Sequence, residues 1–120
     1  MDEFIVFNKP RQVVKVNIKT VNFIEKKDRK VFIRTDSETL DKYGKIEYFS
    51  QNLGPNFLTC RRGLIINMDN VKSIRNEWVE FMNGEKIPLC RDKFTDATRN
   101  FAKYLCESGR MEKQQGETKE

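Results

Sequence analysis

The sequence contains no histidine, and its three cysteines, Cys60, Cys90 and Cys106, form no CxxC pair. Histidine is the commonest general base and the commonest metal ligand, so its absence counts against a hydrolase or a metalloenzyme. An odd number of widely spaced cysteines argues against a disulfide framework and against a structural zinc site. The carboxylates are scattered and lie mostly beside lysine or arginine. We therefore expect a protein that is not an enzyme and needs no metal or cofactor.

Long hydrophobic runs are also missing. No stretch approaches the roughly 20 apolar residues that an α-helix needs to span a bilayer. The chain opens with MDEFIVF, which is acidic where a signal peptide carries basic residues before its apolar segment. We therefore expect a cytoplasmic protein with no membrane partner.

The chain of 120 residues has the length of one domain, which we assign to residues 1–109. The remaining residues, 110–120, read RMEKQQGETKE and balance three basic against three acidic groups. Such a polar segment without aromatic residues predicts a disordered tail. The formal net charge of +5 therefore belongs to the domain. A positive excess is typical of nucleic-acid binding, but ordinary domains reach the same value, so composition leaves the partner open.

Short β-branched and aromatic runs predict a mostly β domain. Two longer segments have helical periodicity instead. In YGKIEYFSQNLGPN, the apolar residues Ile46, Phe49 and Leu53 share one helical face, and Gly54 with Pro55 should end the helix with a left-handed cap. The predicted strands are EFIVF, QVVKVNI, TVNFIEK, KVFIRT, NFLTC, GLIINM, NVKSI, EWVEFM and EKIPLC.

The C-terminal third predicts a hairpin followed by a helix. Asn83 and Gly84 predict a type I′ turn, and Pro88 predicts an edge strand because proline cannot donate to a ladder. The segment DKFTDATRNFAKYLCES is helical in pattern, with Asp92 or Thr95 as the expected N-cap. Its apolar stripe is Phe94, Ala97, Phe101 and Leu105.

Several single residues have structural interpretations that are simpler than functional ones. We expect Cys60 and Cys90 to be buried and unreactive, although each precedes an arginine that favours the thiolate. Asn67 suits a turn. Four aromatic residues in alternating strands should lie in the core and not serve as stacking platforms: Phe23, Phe57, Trp78 and Phe81.

Basic residues cluster at three breaks between the predicted elements. Each cluster alone can be a solvated turn, and spacing does not tell whether the three share one side of the fold. Arginine offers paired donors to guanine and lysine neutralises phosphate, so together they could grip a nucleic acid. The clusters are Lys26, Lys27, Arg29 and Lys30; Arg61 and Arg62; and Arg91 and Lys93.

Three segments resemble the LytTR family of bacterial DNA-binding domains: TVNFIEKKDRKVFIRT, YGKIEYFSQNLGPNFLTCRRGLIINMDNVKSI and NGEKIPLCR. The family pattern is an I-x-[YF]-[IF]-E strand, a charged loop, a strand, and a short helix before F-x-R-x-H-[RN]-S-[FY]-[IV]-[VI]-N. It closes with an [NG]-G-x-x-[IV]-P-[VL]-S-[RK] hairpin. The resemblance runs from Phe4 to the last helix and is densest between Phe57 and Ile74.

The resemblance implies small antiparallel sheets packed in an elongated β fold, with one short internal helix and a C-terminal helix. It also implies sequence-specific binding of double-stranded DNA in bacterial transcription regulation, with loops reading the major groove. By matching positions, the base-reading residues are Arg29, Arg62 and Arg91. The phosphate-contacting residues are Lys26, Lys27, Arg61 and Lys93.

The same resemblance implies two copies on tandem DNA repeats, a possible homodimer on DNA, and a receiver domain upstream if this is an excised output domain. Four positions depart from the pattern and bear on DNA preference: Thr59 for arginine, Arg61 for histidine, Gly63 for serine and Cys90 for serine. Two other classes stay open from the residues alone. One is a small β module that binds RNA or single strands, and the other is a protein-interaction domain that uses its last helix.

Overall fold

A computed structural model of the protein describes residues 4–51 and 53–108, so the tail predicted for residues 110–120 lies outside the described residues. In this part of the chain, antiparallel strands form sheets of two, five and three strands, and the molecule measures 56 × 34 × 25 Å. The predicted mostly β, elongated fold is therefore confirmed. The strands are β1 (Phe4–Lys9), β2 (Gln12–Asn17), β3 (Val21–Lys27), β4 (Lys30–Thr35), β5 (Thr39–Tyr43), β6 (Phe57–Arg61), β7 (Leu64–Asn67), β8 (Val71–Arg75), β9 (Trp78–Phe81) and β10 (Lys86–Pro88), and the α-helices are α1 (Glu47–Ser50) and α2 (Arg91–Glu107).

The five-stranded sheet, in the order β5-β4-β3-β7-β6, is the middle layer of the fold. On one face it packs against the β1–β2 hairpin, through Phe7 and Val16, and against the residues around α1. On the other face it packs against the three-stranded sheet β10-β9-β8 and against α2. Both faces are therefore covered, and the turns that join its strands lie at the two ends of the sheet.

Strand β7 shows why the sequence carries the uninterrupted run LIIN. Ile65 faces the first core, whereas Leu64 and Ile66 face the second, and all of these side chains are buried. A strand covered on both faces has no polar side to alternate with the apolar one. Asn67, which ends the strand, is 1 % exposed and caps the short 3-10 helix Met68–Asn70 by accepting the amide of Asp69. Its predicted turn role is confirmed.

The internal helix is shorter than its apolar stripe suggested. It comprises one turn, Glu47–Ser50, although Ile46, Phe49 and Leu53 do pack against the first core as predicted. The expected left-handed cap at Gly54 is wrong, because Gly54 does not adopt a positive φ. The chain leaves the helix at Gln51 in ordinary αR geometry.

The β9–β10 hairpin is confirmed, but its turn is not of type I′. Of Asn83 and Gly84, only the glycine has a positive φ, at 94°. The amide of Gly84 donates to the carbonyl of Phe81, and Phe81 pairs with Glu85, so the loop has three residues with glycine in the left-handed position. Two consecutive positive φ angles occur instead at Asn76 and Glu77, in the turn between β8 and β9.

Helix α2 begins one residue earlier than expected, at Arg91, with Cys90 as its N-cap residue and no side-chain cap. The prediction that Asp92 or Thr95 caps the helix is therefore wrong. The hydroxyl of Thr95 instead donates to the carbonyl of Arg91 within the first turn. The predicted stripe is confirmed: Ala97 and Phe101 are buried, and Phe94 and Leu105 pack against the same core.

Two further features differ from the sequence prediction. Strand β5 was not predicted, because Leu40 alone of its side chains is buried and its other residues are polar or exposed. Trp78 is 43 % exposed and not a core residue, since it lies on the outer face of the three-stranded sheet opposite Pro88 of the edge strand. Pro88 occupies that edge as predicted.

Neither α-helix of the described residues has the length and apolar character needed to cross a bilayer.

Candidate nucleic-acid interface

Two of the three basic clusters meet at one end of the five-stranded sheet. The β3–β4 turn carries Lys27 and Arg29, and the β6–β7 turn carries Arg62. Because β3 pairs with both β4 and β7, these turns emerge side by side. The backbone amide of Lys26 donates to the carbonyl of Gly63 over 2.7 Å, which joins the two turns directly.

Gly63 allows this close approach. Its φ is 81°, a left-handed conformation that side chains rarely adopt. A Cβ atom there would lie 3.4 Å from both Cβ and the carbonyl oxygen of Lys26. The adjacent turn also needs a left-handed residue, which Asp28 supplies with a φ of 60°. The serine that is usual in the family at position 63 would therefore be strained here.

The two arginines of the second cluster are used differently. Arg62 is exposed, and its side chain forms no ion pair with another described residue. Arg61 is about one-third exposed, and its guanidinium Nη2 donates to Glu25 Oε2 over 2.9 Å. Its Nη1 donates to the backbone carbonyl of Arg62 over 3.2 Å. Arg62 is thus available to a ligand, whereas much of Arg61 is already engaged.

The first cluster also divides into free and paired cations. Lys27 and Arg29 are exposed, and Lys26 is half-buried. Lys30 forms an ion pair of 3.2 Å with Asp41 and lies 5.2 Å from the centre of the Tyr43 ring. The hydrogen bond to Asp41 raises the pKa of Lys30, and the charges of Asp41 and Tyr43 add to that effect.

An open groove of about 720 Å³ runs between the two turns and the start of α1. Lys26, Lys45 and Arg62 line it with positive charge, while Asp28 and Glu47 add negative charge. Lys45 was not among the predicted site residues. Its position follows from β5, which returns the chain to this end of the sheet; the amide of Gly44 donates to the carbonyl of Arg29 over 3.3 Å.

The third predicted cluster lies at the start of α2. Arg91 is 87 % exposed in its side chain and forms a loose ion pair with Glu77 of the β8–β9 turn, with Nε and Oε2 3.8 Å apart. Lys93 is exposed on the same helical turn. Helix α2 packs against β6, the strand that leads into Arg61 and Arg62. The described contacts therefore attach Arg91 to the β8–β9 turn, and only packing connects it with the first two clusters.

The cysteines beside the arginines differ from each other. Cys60 is buried, and burial raises the pKa of its thiol to about 12, although the charge of Arg61 acts in the opposite direction. Cys60 is therefore the unreactive core residue expected. Cys90 is exposed, which corrects the expectation that it is buried.

The comparisons with known proteins agree with this architecture. A family model described as the LytTr DNA-binding domain matches residues 11–101. Among solved structures, the chain is similar to the LytTr DNA-binding domain of a Bacillus cereus protein described as a methyl-accepting/DNA response regulator. The TM-score is 0.63 at 20 % identity, and the alignment covers 87 % of this chain and 94 % of the other. A search of curated proteins found no match. Because the family model covers most of the sequence, the chain belongs to the LytTR family of DNA-binding domains.

Proposed function

We propose that this protein binds double-stranded DNA sequence-specifically to regulate bacterial transcription, with its basic turns in the major groove. The observation that carries the proposal is the 2.7 Å hydrogen bond between Lys26 and Gly63, which joins two basic turns in a domain of the LytTR family. The joined turns support a common surface for Lys27, Arg29 and Arg62, which binding to one duplex requires.

We assign base reading to Arg29, Arg62 and Arg91. All three are exposed, and arginine can donate two parallel hydrogen bonds to the O6 and N7 atoms of guanine. The ion pair of Arg91 with Glu77 is long and solvent-exposed, so its exchange for a DNA contact costs little.

We assign phosphate contacts to the cations that flank these arginines. Lys27 and Lys93 are exposed, and Lys26 lines the groove between the two turns. Arg61 can add a phosphate contact only through the guanidinium donors that Glu25 and the Arg62 carbonyl leave free. Such contacts fix the register of a protein on DNA and give binding its salt dependence.

The domain acts in this proposal as a binding module of the bacterial cytoplasm, without a catalytic step. Two copies occupy tandem repeats, each inserting its turns into a successive major groove, and bending of the DNA lets both copies engage. The similarity to a domain of a described response regulator supports a receiver domain upstream as the source of the signal.

Selection from a random duplex library, followed by salt titration on the enriched sequence, tests this function. We expect an enriched repeat and a steep fall of affinity with salt, because phosphate contacts release counterions. Equal affinity for the enriched duplex and for its scrambled version would overturn base reading.

One observation favours a second candidate, binding of single strands. Tyr43 and Tyr48 are 69 % and 70 % exposed and lie beside the basic turns, where bases could stack on them. Preference for an unpaired oligonucleotide over the duplex, together with loss of that binding in Tyr43→Ala, would support this candidate. Unchanged single-strand binding in the double variant Tyr43→Ala, Tyr48→Ala would exclude it.

A further inference from the structure

We propose that Glu25 is a positioning residue for DNA recognition, which acts by holding Arg61 and, through it, the turn that presents Arg62. This inference rests on the proposed function and adds a residue that carries the wrong charge to contact DNA itself. Glu25 lies on β3, outside all three basic clusters.

Strand pairing puts Glu25 and Arg61 on the same face of the sheet, on either side of β7. Leu64, the first residue of β7, pairs with Glu25 on one neighbouring strand and with Arg61 on the other. The 2.9 Å ion pair therefore links β3 and β6 across β7, at the position of Leu64, which is 0 % exposed. Three adjacent strands are tied together immediately before the turn begins.

The same guanidinium also holds the backbone of the turn. One nitrogen of Arg61 donates to Glu25, and the other donates to the carbonyl of Arg62. The Arg62–Gly63 turn is consequently fixed at two points: the Arg62 carbonyl by Arg61, and the Gly63 carbonyl by the amide of Lys26. With both carbonyls engaged, the direction in which the Arg62 side chain leaves the turn is fixed.

The strand leading into this turn needs such support. The register of β6 against β7 shifts between Thr59 and Arg61, which leaves Cys60 as an extra residue. A bulge of this kind re-aims the side chains that follow it and weakens the local ladder. The ion pair replaces part of the lost pairing, and it is far from fully solvated, since the two side chains are 33 % and 28 % exposed.

Whether Glu25→Gln raises or lowers the affinity for DNA distinguishes a positioning role of Glu25 from a purely electrostatic effect of its charge. Glu25→Gln removes a negative charge near the DNA surface, so charge alone should strengthen binding to every duplex. If Glu25 positions the turn, the same substitution weakens binding to the preferred sequence only. Glu47→Gln is the matched control, because Glu47 borders the groove between the turns and has no assigned role.

The experiment measures affinity for the enriched duplex and for a scrambled duplex, with thermal unfolding of each variant alongside. We expect Glu25→Gln to lose about tenfold in affinity for the enriched duplex, as loss of one charge-assisted hydrogen bond would produce, while its affinity for the scrambled duplex stays level or rises. Glu47→Gln should not lose affinity for either duplex. Arg61→Lys should show the same selective loss, because lysine keeps the positive charge but has no second nitrogen with which to hold both Glu25 and the Arg62 carbonyl.

Three results would overturn the inference. Glu25→Gln could bind the enriched duplex as tightly as the wild type, or Arg61→Lys could do so, which would show that a positive charge at position 61 is sufficient without the paired contacts of arginine. If Glu25→Gln is unfolded, Glu25→Asp, which keeps the charge on a shorter side chain, must show the selective loss, and its absence overturns the inference. A wild type without duplex preference would overturn the proposed function itself.

Discussion

The hydroxyl of Tyr104 donates a hydrogen bond to Asp69 Oδ1 over 2.5 Å. This contact attaches the C-terminal part of α2 to the short 3-10 helix that follows β7. Because Arg91 begins the same helix beside the β8–β9 turn, the contact at Tyr104 helps to set the orientation of the whole helix. The protonation state of Tyr104 therefore affects both the stability of the domain and the orientation of the helix that carries Arg91.

We expect this contact to make the stability of the domain depend on alkaline pH. Burial and the hydrogen bond to Asp69 raise the pKa of Tyr104 to about 12. The pKa of tyrosine in an unfolded chain is about 10. The stabilisation is complete below pH about 10 and is lost as the pH rises towards 12, because the unfolded chain releases the proton first. Urea unfolding across this range should show a shallower loss for Tyr104→Phe than for the wild type.

Tyr48→Phe is the control for that measurement, because the Tyr48 side chain is 70 % exposed. Its unfolding free energy should follow the wild-type curve. Parallel curves for Tyr104→Phe and the wild type would show that Asp69 does not hold the Tyr104 proton.

The three cysteines should react at two different rates. Burial raises the pKa of Cys60 to about 12, while Cys90 and Cys106 are exposed. The thiolate is the reactive form, so a thiol reagent at pH 8 should modify two cysteines rapidly and the third only on unfolding. Cys60→Ala should retain both rapid reactions and lose the slow one. Three rapid reactions in the wild type would contradict the buried position of Cys60.

Arg62→Ala and Lys27→Ala should weaken DNA binding in different ways. Loss of Arg62 should reduce discrimination at one base position by about 1–3 kcal/mol, the usual contribution of a bidentate base contact. Loss of Lys27 should weaken all duplexes alike and reduce the salt slope by about 1. Affinities for single-base variants of the enriched sequence, each measured at several salt concentrations, distinguish the two. A uniform loss for Arg62→Ala would remove it from base reading.

Gly63→Ala and Gly84→Ala form a matched pair. Both glycines have positive φ angles, 81° and 94°, so alanine costs about 1–2 kcal/mol of stability at either site. A Cβ atom at Gly63 would also meet Lys26 at 3.4 Å, whereas Gly84 has no neighbouring atom within 4 Å. We expect Gly84→Ala to lower stability without changing duplex affinity, and Gly63→Ala to lower both. Equal duplex affinity in the two variants would show that the junction of the turns does not matter for binding.

Asn67→Ala should be far more destabilising than Asn17→Ala, although both asparagines cap a 3-10 helix. Asn17 is exposed and accepts the amide of Lys19, a cap that contributes about 1 kcal/mol. Asn67 is buried and accepts from both Asn56 and the Asp69 amide. Its loss leaves those donors without their partner and should cost about 2–3 kcal/mol. Urea unfolding of the two variants measures the difference, and similar values would contradict it.

Local patterns were sufficient for most strands but not for how the strands meet. Runs such as KVFIRT and LIIN identify β4 and β7 because β-branched residues pack well in sheets. The pairing of Ile24 with Ile65 joins distant parts of the chain, and no local signal encodes it. The two basic turns meet because of that pairing. The basic residues could therefore be identified from the sequence, but their position relative to one another could not.

Errors in the prediction arose where tertiary contacts override local preference. Asn76 and Glu77 form a turn with two positive φ angles, although neither is glycine. Asn83 does not have a positive φ, although the Asn83-Gly84 pair is the strongest turn signal in the sequence. Trp78 was expected in the core because aromatic residues usually are, but it lies on the outer face of a sheet whose other face is already packed. Glu25 matches the glutamate that ends the first strand of the family pattern, but it was not predicted as a site residue because its charge is opposite to that of a DNA contact.

The strand order β5-β4-β3-β7-β6 sets a distance that loop sequences cannot change. The β3–β4 and β6–β7 turns are centred two inter-strand spacings apart, about 10 Å at about 4.8 Å per strand. On the proposed surface this corresponds to about three base-pair steps of about 3.4 Å. In the proposed function, substitutions in the turns therefore alter which bases are read, while the sheet preserves the interval between them. The sheet fixes the spacing of the two turns, so exchanging the turn sequences should change DNA specificity without changing the spacing of the recognised bases.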